Sequence, residues 1–121
     1  MSTTVLTVDD SRAMRDMLRH SLVAAGFRVL QAEDGMHGLE VLAQETPDVI
    51  VTDINMPRMD GFGFIEAVRK DEARRAVPVL VLTTEVDAAK KQRARAAGAT
   101  GWIVKPFDPV KLVEAIRRVA A

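Results

Sequence analysis

Short runs of β-branched and aliphatic residues alternate with stretches of helical spacing five times along this chain, and that alternation narrows the fold more than any other feature. The runs lie at Thr4–Val8, Phe27–Ala32, Val49–Thr52, Val79–Leu82 and Trp102–Val104. Those at 49–52 and 79–82 are almost wholly apolar, as central strands buried on both faces should be. Between the runs, Met14, Met17, Leu18 and Leu22 fall at i, i+3, i+4 and i+8, and Leu39, Leu42 and Ala43 repeat the first part of that spacing. Phe62, Ile65 and Val68 follow three-residue spacing, and Leu112, Val113, Ile116 and Val119 supply the apolar side of a last helix. Gly26 and Gly98 stand where the first and fourth helices should end, and Asp108 with Pro109 suits the start of the fifth. A parallel strand pair needs a crossover, so five strand–helix units predict an α/β, doubly wound five-stranded parallel sheet with helices on both faces.

At 121 residues the chain is long enough to bury one core, and no linker or low-complexity stretch divides it, so one domain is expected over 1–121. The absence of cysteine excludes disulfides, thiolate metal sites and cysteine nucleophiles. A formal net charge of zero gives no bulk electrostatic case for nucleic-acid or membrane binding. Met1-Ser2-Thr3-Thr4 runs into a strand without a basic region or long apolar segment. No signal peptide or membrane span is expected, and a cytoplasmic protein is the default reading.

One helix stands apart. From Asp87 to Ala97 the sequence is DAAKKQRARAA, which has high helix propensity but only alanine methyls to bury. Two readings stay open: a solvated outer helix, or one that shifts when something beside it changes.

Ligands of parallel α/β sheets bind beyond the carboxyl ends of the strands. The polar residues at those ends are Asp9-Asp10, Asp53, Thr83-Thr84 and Lys105. Singly, each has a plainer explanation: Asp10 or Ser11 caps the first helix, Thr83 ends a strand, Lys105 is solvated. Together they do not reduce to that, because Asp53 and Lys105 open no helix and clustered carboxylates repel unless a cation or proton intervenes. Hard oxygen ligands suit Mg²⁺. A carboxylate beside such an ion is placed to attack phosphorus, with Lys105 and Thr83 available to the phosphoryl oxygens. The chain has neither GxxxxGK[ST] nor GxGxxG, and no Ser–His–Asp arrangement. His20 and His37, the only histidines, lack ligand-like spacing and read as surface residues.

Asp9-Asp10, then Asp53-Ile54-Asn55-Met56-Pro57 with Met59-Asp60-Gly61, then Thr83 and Lys105-Pro106-Phe107 resemble the signature of response-regulator receiver domains across the whole chain. Leu82-Thr83-Thr84-Glu85 and the run from Gly101 to Phe107 bring the likeness nearest to CheY-like, single-domain chemotaxis regulators. The resemblance implies a (βα)5 flavodoxin-like fold of strand order 2-1-3-4-5. It implies Asp53 as phosphoacceptor, with Asp10, Asp53 and the backbone carbonyl of Asn55 as Mg²⁺ ligands and Asp9 acting through a bound water. Lys105 would pair with the acceptor and then with the phosphoryl group, Thr83 would be the switch hydroxyl, and Trp102 the aromatic switch residue, against its plainer reading as a core aromatic. Asn55 and Glu85 resemble the polar pair that tunes dephosphorylation in fast members, while Thr84, where a smaller residue is usual, implies a narrower approach for water.

The implied partners are a CheA-type histidine kinase and a flagellar motor switch protein bound through the fourth helix, fifth strand and fifth helix. The chain would act as a monomer and would not be an enzyme beyond its own phosphotransfer and dephosphorylation. Lys91 falls where enteric chemotaxis regulators expose an apolar contact. The alternatives are a phosphate sink, a phosphorelay shuttle or a cell-cycle-type regulator that does not bind the motor.

Overall fold

All five apolar runs become strands within a residue of their expected limits: β1 (Thr4–Val8), β2 (Arg28–Ala32), β3 (Val49–Thr52), β4 (Val79–Thr83) and β5 (Gly101–Val104). The intervening helices are α1 (Arg12–Ala24), α2 (Gly35–Gln44), α3 (Gly61–Lys70), α4 (Ala88–Ala97) and α5 (Pro109–Ala120). The computed structural model describes residues 2–120; Met1 and Ala121, the ends of the domain expected over 1–121, lie outside them. Every strand pair is parallel, in the order β2-β1-β3-β4-β5. The apolar central strands β1, β3 and β4 are buried throughout, whereas β2 and β5 at the edges are partly exposed.

The order decides where the helices go. From β1 the chain steps outward to β2, then crosses back and continues through β3, β4 and β5. Right-handed crossovers put the helix of the first step on one face and those of the later steps on the other. Leu18 and Leu22 of α1 accordingly pack with Leu112 and Ile116 of α5 against Val5, Val49, Val51, Leu80 and Leu82. On the opposite face Leu42, Phe64, Ile65, Val68 and Ala94 cover Leu6, Val8, Ile50, Val79 and Val81. Neighbouring residues of one strand thus serve different cores.

Two residues expected to face inward do not. Met17 is 56% exposed, and Ala43 is exposed as well. Successive helical residues lie about 100° apart, so each sits well round the helix from its fully buried neighbour, Leu18 or Leu42. Phe64, not part of the three-residue spacing, is fully buried instead. His20 is exposed as expected, but His37 is half-buried and its Nδ1 accepts the Glu33 N–H at 3.1 Å. No helix among the described residues is long and apolar enough to cross a membrane.

The alanine-rich α4 buries only Ala94. Other contacts hold it: the Arg93 guanidinium lies 4.1 Å from the Phe62 ring centroid, and Arg69 of α3 donates to the Gly98 carbonyl at its C-terminal end. The helix is solvated on most of its surface and joined to its neighbours largely by arginines.

The turn from β3 into α3 is closed by Gly61, whose N–H donates to the Ile54 carbonyl at 2.8 Å. A Cβ here would press on the Asp53 carbonyl and lie 2.8 Å from Ile54 Cα, both backbone and unable to swing aside. Gly→Ala in a helix ordinarily gains up to about 1 kcal/mol. At Gly61 the crowding, about 1–3 kcal/mol, should reverse the sign. Gly61→Ala is therefore expected to lower the urea midpoint without changing the slope, and a raised midpoint would show that the backbone yields there.

Candidate functional site

Strands β1 and β3 lie side by side where the direction of winding reverses, and Val8 is registered with Thr52. The residue after each is a carboxylate, so Asp9 and Asp53 emerge together at the carboxyl edge. Asp10 follows Asp9, and carboxylate oxygens of all three lie within 4.8 Å of one another. Lys105 comes from beyond β5: its N–H donates to the Thr83 carbonyl at 2.8 Å, and its side chain reaches back across the edge. Nζ donates to Asp9 Oδ2 at 2.8 Å and to Asp53 Oδ2 at 2.9 Å.

The other carboxylate oxygens of Asp9 and Asp53 are also held. Asp9, only 2% exposed, accepts the Ser11 N–H on Oδ1, and Asp53 Oδ1 accepts the Ile54 N–H at 2.7 Å. Ser11 caps α1 by accepting the Met14 N–H. Asp10 is therefore not the cap; it is exposed and points its charge at the cluster. The Lys105 side chain, 10% exposed, is not solvated surface. Burial alone pushes its ammonium down, but hydrogen bonds to Asp9 and Asp53, together with their charges, outweigh burial and hold it above its ordinary value. Its stabilising contribution is thus complete below the unfolded value of 10.5 and is lost only as pH rises through the raised one. At neutral pH it is fully charged.

Three carboxylates against one ammonium leave two negative charges in excess. The donors are hard oxygens, and the set fits a divalent, oxygen-preferring cation.

The other expected residues line the same edge at different depths. Thr83 is fully buried, with Oγ1 accepting the Glu85 N–H at 3.3 Å. Thr84 and Asn55 are exposed, and Glu85 is half-buried and ion-paired with Lys90 of α4. Trp102 is registered with Val81, and Val104 with Thr83, so the indole sits two residue pairs further from the site than the hydroxyl. It is half-buried over a pocket of about 40 Å³ lined by Lys91, Ala94, Arg95, Ala99 and Thr100.

A further ion pair, Asp34 with Arg58, stands at the rim. Asp34, 3% exposed, caps α2 and accepts two hydrogen bonds from Arg58, Nε to Oδ2 at 2.8 Å and Nη2 to Oδ1 at 3.0 Å. Hydrogen bonding to Arg58 holds the Asp34 carboxyl below its ordinary value against the opposing effect of burial. An aspartate ahead of a helical stretch was a readable cap signal; its partner 24 residues away was not.

A response regulator receiver domain model matches residues 5–117. The probable transcriptional regulator ycf27 of Guillardia theta is 40% identical over 115 residues, which cover 95% of this chain but 44% of that protein. Chemotaxis protein CheY1 of Helicobacter pylori is 38% identical over 117 residues, 95% of this chain and 94% of that one. The structure of chemotaxis response regulator CheY4 of Vibrio cholerae superposes with a TM-score of 0.92 at 45% identity, covering 98% and 99% of the two chains. The chain thus spans less than half of the first relative and nearly all of the other two.

Among the described residues Asp10 makes no ion pair, so without metal its charge only repels Asp9 and Asp53. At 4.8 Å such a repulsion is about 1 kcal/mol even in water-like surroundings. Asp10→Asn should therefore unfold at a higher temperature than wild type in EDTA. A lower temperature would mean that the three charges are already compensated.

Proposed function

Because the chain belongs to the response regulator receiver domain family and is CheY-like, we propose that a phosphoryl group transferred onto Asp53 switches it. The Asp53 carboxylate carries this reading: it is 12% exposed, held by Ile54 N–H and by Lys105, and gathered with Asp9 and Asp10. One of its oxygens attacks the phosphorus of a phosphohistidine on a CheA-type kinase. The phosphorus–nitrogen bond breaks and its electron pair stays on the imidazole. Lys105 turns its ammonium from the carboxylate to a phosphoryl oxygen, and the Thr83 hydroxyl donates to another. Asp10, Asp53 and the Asn55 carbonyl would hold Mg²⁺, with Asp9 acting through a water. When bound there, the ion would supply positive charge to offset that on the phosphoryl oxygens. The chain processes only its own acyl phosphate and is not an enzyme toward a separate substrate; Asn55 and Glu85 flank the approach of hydrolytic water, and Thr84 narrows it.

The new phosphoryl group brings roughly −1.5 to −2 charges beside Thr83. Drawing that hydroxyl toward the site opens space on the face where Trp102 sits, and the weakly buried α4 shifts as the indole turns in. The altered surface of α4, β5 and α5 binds a target, for which we propose the flagellar motor switch. A sink or relay role has one observation in its favour: α4 presents Lys91, Arg93 and Arg95 to solvent rather than an apolar contact. Binding of the phosphorylated protein to a motor switch protein separates the two.

Acetyl phosphate with Mg²⁺ should phosphorylate the wild type and leave Asp53→Asn unmodified, as read by mass spectrometry. Losing an outer partner of a metal commonly costs about 10–100-fold in affinity; Asp10→Ala, which removes a ligand, should lose at least that. A modified Asp53→Asn protein would move the acceptor elsewhere.

The coupling from Thr83 to Trp102 has its own readout, because Trp102 is the only tryptophan. Beryllofluoride should change its fluorescence in wild type and not in Thr83→Ala. An equal change in both would place the coupling outside this pair.

A further inference from the structure

We propose that the Asp34–Arg58 pair is a positioning device: it fixes the backbone between Asp53 and Gly61 so that the Asn55 carbonyl is presented to the metal. The inference rests on the reading of Asp53 and Asn55 given above. Among the described residues Arg58 is the one non-glycine with positive φ, at 64°, a left-handed conformation that L side chains adopt only when their surroundings impose it. Both of its hydrogen bonds to Asp34 are charge-assisted, and the acceptor is a nearly buried carboxylate already immobilised as the cap of α2. The next residue is tied to the same place, since the Gly35 N–H donates to the Met59 carbonyl at 3.1 Å. A Cβ on Gly35 would meet Met59 Cγ at 2.6 Å, so the start of α2 and the turn after β3 are in direct contact.

These ties bracket Asn55. On its N-terminal side Ile54 is held by Asp53 and by Gly61, and on its C-terminal side Arg58 and Met59 are held by Asp34 and Gly35. The direction of the Asn55 carbonyl follows from where those two anchors place the chain. A metal binds best to ligands already in place, because ordering them on binding costs affinity. Loosening one anchor should therefore show as weaker metal binding.

The cap and the clamp are separable by substitution. Asp34→Ser keeps a helix-capping hydroxyl but loses the carboxylate, and Arg58→Gly tolerates the left-handed backbone but loses the guanidinium. Mg²⁺ affinity should be measured by isothermal titration in wild type, both single variants and the double variant, with thermal unfolding in EDTA beside it. Each single variant is expected to bind Mg²⁺ about tenfold more weakly, the low end for lost outer-shell support. The double variant should be no weaker than either single, because both remove one interaction. Arg58→Lys, which keeps the charge but not the fork, should fall between wild type and Arg58→Gly, and it serves if another variant fails to fold. Lower unfolding temperatures with wild-type Mg²⁺ affinity would assign the pair to folding alone and overturn the proposal. Loss of Mg²⁺ binding in Asp10→Ala, with wild-type affinity in the clamp variants, would sink the clamp and spare the site. A wild type that bound no Mg²⁺ would remove both.

Discussion

Three carboxylates are gathered at one sheet edge, and the Lys105 ammonium is the counter-charge that two of them share. Asp9 is 2% exposed and the Asp53 side chain 12%, so neither is freely solvated, and their mutual repulsion grows as water is excluded. One ammonium donating to both offsets part of that cost and leaves the cluster in charge deficit. The uncompensated negative charge is what suits the cluster to a divalent, oxygen-preferring cation. Removing it would make a steadier protein and a poorer site.

Reaching both acids from beyond β5 requires a particular sheet. Only with β3 between β1 and β4 do Asp9 and Asp53 become neighbours, and only with β5 outside β4 does a lysine side chain approach them from the opposite flank. The arrangement also sorts firm packing from weak. The acids follow β1 and β3, strands that are fully buried and covered by helices on both faces, whereas Trp102 lies on an edge strand under a helix that buries a single alanine. The firmest packing is thus beside the acid cluster and the weakest at the surface away from it.

Much of the candidate site could be read along the chain because four of its residues close or follow an apolar run. Asp9, Asp53, Thr83 and Lys105 follow β1, β3, β4 and β5 or close them, and the hydrophobic runs that locate those ends are local signals. Helix faces were less legible: Met17 and Ala43 have apolar spacing that three-residue counting cannot tell from the buried stripe. Phe64 was missed for the same reason. The Asp34–Arg58 pair left no local trace as a pair, since a cap aspartate and a loop arginine are each unremarkable.

What the sequence determined by itself is therefore the set of elements, their parallel pairing and the identity of the acids and the lysine, because strand period, helix period and turn residues act over a few positions. Tertiary structure decided which of Asp10 and Ser11 caps α1, that Lys105 bridges Asp9 and Asp53 together, how deeply Trp102 lies, and what holds α4 and the turn after β3. Apart from the local Ser11–Met14 cap, those are contacts between residues from 24 to 96 positions apart. Their partners are set by which strand ends up beside which, a choice made by packing two cores at once and not by any segment alone.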